Sequence, residues 1–311
     1  MIDTLEYENF EFLVKQTEAS LKKFLSHFCH NHYKNVIETK DYIVGVGDAE
    51  IALLAHLDTV HMTPVKSLYH DQEKDVLWSP EGLGADDRAG VYAAMLLVLF
   101  GKANGKLPHV IFTTGEELGG IGANALAQIP CPFDNLKYII QLDRRGKDDC
   151  VFYRCNNENF IRYIESFGFK ESLGTYTDIS FICPAWQVCG VNLSVGYENE
   201  HSFGEYLNFS DLRNTIKRVK AMLMEENIPL FEYSEFFSNM CRCYKCGREF
   251  KTNDLRIVFV RDLKGFNKPC CIDCLTEDKF GWCESCYSPF EKNPDNPDSR
   301  YCQKCMEDLD Q

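Results

Sequence analysis

The chain has 311 residues, 45% of them hydrophobic, enough for one large domain with a core of its own plus a smaller one. Its formal net charge of −14 is divided unevenly, with 12 basic and 13 acidic residues from Cys241 onward against 21 and 34 before it. That acidic first part disfavours nucleic acid and anionic membrane, no apolar run is long enough to span a bilayer, and the start Met1–Glu6 does not read as an export signal; the expectation is a soluble, cytoplasmic protein.

Between Thr4 and about Phe28, Leu13, Leu21 and Leu25 recur at helical spacing among charges, which predicts one or two amphipathic helices. Cys29-His30-Asn31-His32 follows, and a polar cluster at a helix end is more simply solvated than metal-bound. Tyr42–Val46 and Ile51–Ala55 read as strands, the second continuously apolar and so buried on both faces. At its end stands His56-Leu57-Asp58. A loop-rich stretch with room for a hairpin, Met62–Leu83, leads to Gly84-Ala85-Asp86-Asp87, which opens an apolar helix from Val91 to Phe100. The next strand, Leu107–Thr113, ends in Gly115-Glu116-Glu117, and a helix follows from Gly120 to Ile129. Tyr138–Leu142 is a further buried strand ending in Asp143. Cys150–Cys155 reads as a strand, Phe160–Phe167 as a helix, and Asn192–Val195 as a last strand before His201. Ser210 is placed to cap a helix from Asp211 to about Met224.

Strands alternating with helices predict an α/β fold, a mixed, mostly parallel sheet with helices on both faces, whose sites lie at the carboxyl ends of the strands. His56, Glu116-Glu117, Asp143 and His201 all fall at or just after such ends, and Asp86 sits where a loop enters a helix. Two adjacent carboxylates at a buried strand end are costly unless something positive meets them. Two imidazoles and several carboxylates suit a borderline divalent ion such as zinc. Two ions roughly 3.5–4 Å apart need a bridging carboxylate, terminal ligands and a base for a shared water. His56, Asp86, Glu117, Asp143 and His201 fill the ligand places and leave Glu116 over.

The order H-x-D at His56–Asp58, G-A-D-D at Gly84–Asp87, G-E-E at Gly115–Glu117, a strand-end Asp143 and a late His201 resembles the co-catalytic zinc exopeptidases. That superfamily includes leucyl and glutamyl aminopeptidases, peptidase T, glutamate carboxypeptidase and related deacylases. The resemblance covers about residues 40–225. It implies that His56 and Asp143 bind one zinc, Glu117 and His201 the other, and that Asp86 bridges the two through a residue whose peptide bond to Asp87 is often cis. It further implies that Asp58 fixes the His56 tautomer and that Glu116 is the general base; cobalt or manganese could replace zinc. Thr177-Asp178-Ile179-Ser180-Phe181, then Tyr197 and His201-Ser202, is similar to the closing pattern of compact aminopeptidases, although three residues separate Tyr197 from His201. Asp178 and Tyr197 are therefore expected near the substrate, with a helix cap as the alternative for Asp178. The 58 positions from Asp143 to His201 leave no room for the lid domain of the carboxypeptidase and deacylase members. Arg144 and Arg145 bind a substrate carboxylate or, as favoured here, pair with the acidic surface. Glu198 and Glu200 beside His201 would favour a positively charged substrate N-terminus.

The remainder divides into an aromatic linker, residues 229–240, expected to pack on one of the domains, and a cysteine-rich domain, residues 241–311, after a catalytic domain of residues 1–228. Ten of the sixteen cysteines lie in the last 71 residues. The pairs Cys243/Cys246, Cys271/Cys274, Cys283/Cys286 and Cys302/Cys305 predict two four-cysteine zinc sites, paired in chain order, with Cys241 and Cys270 spare. Zinc would supply the folding energy of so short and polar a segment. Four thiolates and one zinc carry −2, so two sites leave this domain more negative still, which favours a protein partner or self-assembly over nucleic acid. The reading is a di-zinc aminopeptidase acting on peptides, with an N-acyl or amide hydrolase on acylated small molecules as the rival enzyme and an inert peptidase-fold binding protein as the rival from another class.

Overall fold

A computed structural model describes residues 7–234, 240–251, 256–263, 267–276, 279–285, 289–303 and 305–306. The chain forms two compact units, Met1–Glu235 and Phe236–Gln311. In the first, the elements run α1 (Tyr7–Val14), α2 (Glu18–His32), β1 (Asn35–Glu38), β2 (Tyr42–Val46), β3 (Ile51–His56), β4 (Tyr69–Asp71), β5 (Val76–Trp78), α3 (Ala85–Ala103), β6 (His109–Thr113), α4 (Ile121–Ala127), β7 (Tyr138–Arg144) and β8 (Asp149–Val151). They continue with α5 (Glu158–Glu165), β9 (Lys170–Glu171), α6 (Ile179–Trp186), β10 (Cys189–Ser194), β11 (Tyr197–Glu198), β12 (Tyr206–Asn208) and α7 (Phe209–Met224).

Eight strands form one sheet in the order β1-β2-β6-β3-β7-β10-β8-β9. Its centre, β6-β3-β7-β10, is parallel throughout, while β1, β2 and β8 introduce antiparallel pairs. Side chains alternate across the sheet, and both faces are covered. Ile51, Leu53 and Ala55 of β3 join the larger core with residues of α1, α2, α3, α5 and α7. Ala52 and Leu54 join the smaller one with α4 and α6. This is why β3 is apolar without interruption. Gly90 lets α3 lie close on β7, since a Cβ there would stand 1.9 Å from the Leu142 carbonyl oxygen. A small antiparallel sheet, β11-β12-β5-β4, contains the hairpin expected between Met62 and Leu83.

Several boundaries differ from expectation. The last helix is capped by Asn208, whose side chain accepts from Asp211 N, and Ser210 instead donates to Asp75. Strands β1, β9, β11 and β12 were not expected as elements, and helix α6 was foreseen only through the alternative reading of Asp178 as a cap. From the aromatic stretch, Phe231 is buried among Tyr138, Phe160 and Tyr163, so the chain as far as Ser234 is part of the first unit's fabric.

In the second unit, β13 (Met240–Arg242) pairs with β14 (Glu249–Lys251). A four-stranded sheet has the order β16-β15-β18-β17, from β15 (Ile257–Arg261), β16 (Asn267–Cys271), β17 (Phe280–Trp282) and β18 (Pro289–Glu291). Val260 and Phe280 pack with Cys243, Cys270 and Cys271, whereas Phe290 packs with Cys283, Cys302 and Cys305. Phe290 lies opposite Arg261 and Gly281, one residue along from Val260 and Phe280, so the two cysteine clusters occupy opposite faces of this sheet. No described helix of either unit is long and apolar enough to cross a membrane.

Candidate metal centres

The parallel strands deliver their carboxyl ends to one edge of the sheet, and with them the polar residues singled out in the sequence. His56 ends β3, Asp143 is the last residue but one of β7, and Glu116 and Glu117 follow β6 by three and four residues. Asp86 stands at the N-terminus of α3, joined to Asp87 by a cis peptide bond. Its two carboxylate oxygens face opposite partners. Oδ1 lies 3.1 Å from His56 Nε2, which is itself 3.6 Å from Asp143 Oδ1. Oδ2 lies 3.2 Å from His201 Nε2, which is 2.9 Å from Glu117 Oε1. Thus two half-sites, His56 with Asp143 and Glu117 with His201, share Asp86. His201 reaches its place from a left-handed backbone, φ 62°, a conformation that non-glycine residues adopt rarely and mostly where the surroundings hold them.

Neighbouring groups fix these side chains. Asp58 accepts from the backbone amides of Glu116 at 3.1 Å and Glu117 at 3.0 Å, and its carboxylate lies 3.4 Å from His56 Nδ1. One carboxylate therefore ties the end of β3 to the loop after β6. Asp143 accepts from Gln141 Nε2 and Thr177 Oγ1, both at 2.9 Å, and from Tyr197 OH at 3.1 Å. Asp87, beside Asp86, commits its oxygens to the amides of His56 and Gly90, so it is a scaffold group although it lies near His56 and Asp143. Glu116 is buried, and its side chain makes no hydrogen bond among the described residues.

The electrostatics call for a cation. Burial raises Glu116 to about 8 and Glu117 to about 7, and burial together with Asp86 raises Asp143. The hydrogen bond to Asp86 raises His201 to about 9. Burial alone would lower His56, but Asp143, Asp58 and Asp86 raise it well above the usual imidazole range. Among the described residues no lysine or arginine ion-pairs with Asp86, Asp143, Glu116 or Glu117. The nearby Arg144 and Arg145 turn to Asp149 at 3.6 Å and Glu200 at 2.9 Å, the pairing favoured from the sequence. Imidazole nitrogens and carboxylate oxygens crowded without a counter-charge form a donor set that fits divalent ions. The cleft above them, about 160 Å³, is lined also by Tyr153, Tyr176 and Tyr197.

Residues 35–167 match the profile described as Peptidase family M28, a span that holds His56, Asp58, Asp86, Glu116, Glu117 and Asp143. Over these residues the chain is similar to Peptidase family M28. The fold is that of known aminopeptidases. A TET aminopeptidase from a marine-sediment Thaumarchaeota archaeon superposes with a TM-score of 0.57 at 14% identity, over 71% of this chain and 97% of that one. The aminopeptidase PepT of Bacillus cereus gives 0.54 at 16% identity, over 70% and 96%. A glutaminyl cyclase of Bacteroides thetaiotaomicron gives 0.51 at 16% identity, over 71% and 95%. No curated protein sequence matches the chain. In the first unit the interval from Asp143 to His201 holds only β8, α5, β9, α6, β10 and β11, with no lid domain.

Two residues of the first unit stand differently from the sequence reading. Asp178 does not line the cleft. It is fully buried, accepts a short hydrogen bond from Thr113 Oγ1 and does not cap α6 with its side chain, and burial raises it to about 7. Glu205 was not singled out at all. It is 1% exposed and accepts from Gly84 N at 2.7 Å, Asp86 N at 2.9 Å and His61 Nε2 at 3.0 Å. It is one of three glutamates between Glu198 and Glu205, and its partners are backbone amides more than a hundred positions away, which no residue type announces.

The second unit carries the other donors. The sulfur atoms of Cys243, Cys246, Cys271 and Cys274 lie within 4.8 Å of one another, as do those of Cys283, Cys302 and Cys305; Cys286 lies outside the described residues. Gly247, at φ 71°, permits the turn in which its amide donates to the Cys243 carbonyl at 2.8 Å. Burial would raise the Cys243 thiol, but the amides of Cys271, Cys246 and Lys245 lower it to about 6. Arg248 donates to Cys246 Sγ at 3.4 Å and Arg261 to Cys302 Sγ at 3.4 Å, so each cluster has one guanidinium against its thiolate charge. Cys270 is buried beside the first cluster, where burial raises it to about 12, and stays outside it.

Proposed function

We propose that the first unit is a two-metal aminopeptidase that hydrolyses the first peptide bond of a substrate with a free N-terminus. The observation that carries this reading is the shared Asp86 carboxylate, with one oxygen toward His56 and Asp143 and the other toward Glu117 and His201. A pair of divalent ions, zinc by the donor set and cobalt or manganese as substitutes, would polarise the scissile carbonyl and lower the pKa of a shared water. His56, Asp143, Glu117 and His201 are the terminal ligands and Asp86 the bridge. Asp58 orients both the His56 imidazole and the Glu116–Glu117 loop. Glu116, free of other hydrogen bonds among the described residues, takes the proton from the attacking water and passes it to the leaving amine. Tyr197, through its bond to Asp143, and Arg144, at the cleft wall, flank the bound substrate. Asp178 shapes the pocket from beneath, by holding Thr113 at the end of β6. The acidic mouth, with Glu198 and Glu200, favours a cationic amino terminus over an acylated one.

The same donor set would serve an N-acyl or amide hydrolase, and the likeness to a glutaminyl cyclase fold shows that this scaffold hosts more than one reaction. A library of peptides with free, blocked or acylated N-termini, incubated with the wild type and Glu116→Gln, separates the readings. Release of N-terminal amino acids from free peptides alone is expected. Release from acylated substrates alone would make the protein a deacylase, and release from neither an inert binder. In the second unit, we assign one structural zinc to each cysteine cluster, with Cys286 completing the second, and a protein partner or self-assembly as its role. Among the described cysteines none is in a disulfide, which supports a reducing, cytoplasmic setting.

A further inference from the structure

An aspartate at a helix N-terminus ordinarily turns its carboxylate onto the helix's own free amides. Asp86 does not. Its oxygens point away, to His56 and His201, and Gly84 at the N-cap position has no side chain to offer. The Asp86 amide and that of Gly84 before it are held by Glu205, from 119 and 121 positions further along the chain. Its Oε1 accepts from Asp86 N at 2.9 Å, and its Oε2 from Gly84 N at 2.7 Å and from His61 Nε2 at 3.0 Å. Both oxygens are committed and the residue is 1% exposed.

We infer that Glu205 is the positioning residue of the bridging carboxylate. It holds the backbone on both sides of Ala85, through the amides of Gly84 and Asp86, just ahead of the cis bond to Asp87, whose own Oδ1 caps the regular helix at Gly90 N; Glu205 thereby fixes the backbone from which the Asp86 carboxylate projects. Through His61 it also binds the loop that follows His56 and Asp58, so the bridge and one terminal ligand are held in register by one side chain. Neither part could be inferred from Asp86 alone, because a capping aspartate and a bridging aspartate look alike in sequence. Removing the Glu205 charge loosens two buried amides, Gly84 N and Asp86 N, and with them the backbone that carries the Asp86 carboxylate.

This inference rests on the two-metal reading above. The test uses the full chain, with metal left in the cysteine clusters, the catalytic sites emptied by mild chelation and cobalt(II) added back. Wild type, Glu205→Gln and Glu205→Asp are compared by cobalt affinity against a competing chelator, by the visible cobalt spectrum and by the melting temperature of the emptied protein. Glu205→Gln is expected to bind cobalt about 10–100-fold more weakly, with an altered spectrum in the folded protein, the range typical of groups that orient metal ligands. Glu205→Asp, charged but one methylene short, is expected to fall between. A lowered melting temperature with unchanged cobalt affinity and spectrum would make Glu205 a purely structural residue and overturn the inference. If Glu205→Gln does not fold, Glu205→Asp decides on the same readouts. Wild-type protein that takes up no cobalt outside the thiolates overturns the two-metal reading itself, and this inference with it.

Discussion

At the scale of single residues, the site separates groups that hold from the one that must remain free. Glu117 lies 2.9 Å from His201, whereas its neighbour Glu116 has no side-chain partner among the described residues. Glu116→Gln is isosteric and leaves every ligand in place. It is expected to lower kcat by about 10²–10⁴-fold, the usual contribution of a positioned acid–base group, while metal content by elemental analysis stays at the wild-type level. Unaltered turnover would remove Glu116 from the role of base. His201→Ala differs in kind, because it deletes a terminal ligand. If the proposed ligand set holds, it should lose activity together with one catalytic metal ion, and a full metal complement in that variant would break the ligand assignment. Asp58→Asn tests orientation. It weakens the grip on His56 and on the amides of Glu116 and Glu117 at once, so metal affinity and kcat should both fall, by about 10–100-fold in affinity.

At the scale of elements, much was legible. The continuous apolar runs of β3, β6 and β7 announced strands buried on both faces, and in a parallel sheet that alone places their carboxyl ends at one edge. The types of residue found there then announced a metal. Other parts were not legible, for physical reasons. Strand β1 is four half-exposed residues at a sheet edge and has no alternation to detect. Helix α6 contains Pro184 and is apolar around most of its circumference, so it shows no helical period. The start of α7 was misplaced because Asn208 and Ser210 are both good caps and only the tertiary partner, Asp75, decides between them. Strand β6 carries a further testable group. His109 opens it, stacked on Phe133 at 4.1 Å between centroids, with Nδ1 accepting from Gly47 N at 3.0 Å. Burial lowers its pKa to about 4. The unfolded imidazole, near 6.5, takes a proton first as pH falls, so the folded state loses stability from about pH 6.5 down to about 4 and no further from this group. The full loss is on the order of 3 kcal/mol. Urea denaturation at pH 7 and pH 5 should show it, and His109→Asn, which keeps an acceptor but cannot titrate, should flatten that part of the slope.

At the scale of the whole molecule, the two units divide both charge and metal chemistry. The first carries the acidic surplus and ligands of nitrogen and oxygen, and the second carries thiolates. Metal bound by the first is open to a cleft, whereas Cys243, Cys271, Cys283 and Cys302 are almost wholly buried. Mild chelation is therefore expected to remove two of about four ions per chain and all activity, and to leave the cysteine-bound pair; metal analysis before and after dialysis checks the count. Loss of all four together would mean that the thiolate clusters are not closed sites.

The position of those clusters, on either side of one four-stranded sheet, has a consequence for how the chain is made. The cysteines proposed to hold zinc in the first, Cys243 to Cys274, all precede those of the second, Cys283 to Cys305. During synthesis the first knot can be tied while the second is still unmade. Strands β17 and β18 then arrive at the free edge of a hairpin, β15–β16, that the first knot already steadies. Had the pairs been interleaved, the first knot could not close until Cys286 had emerged, after strand β17.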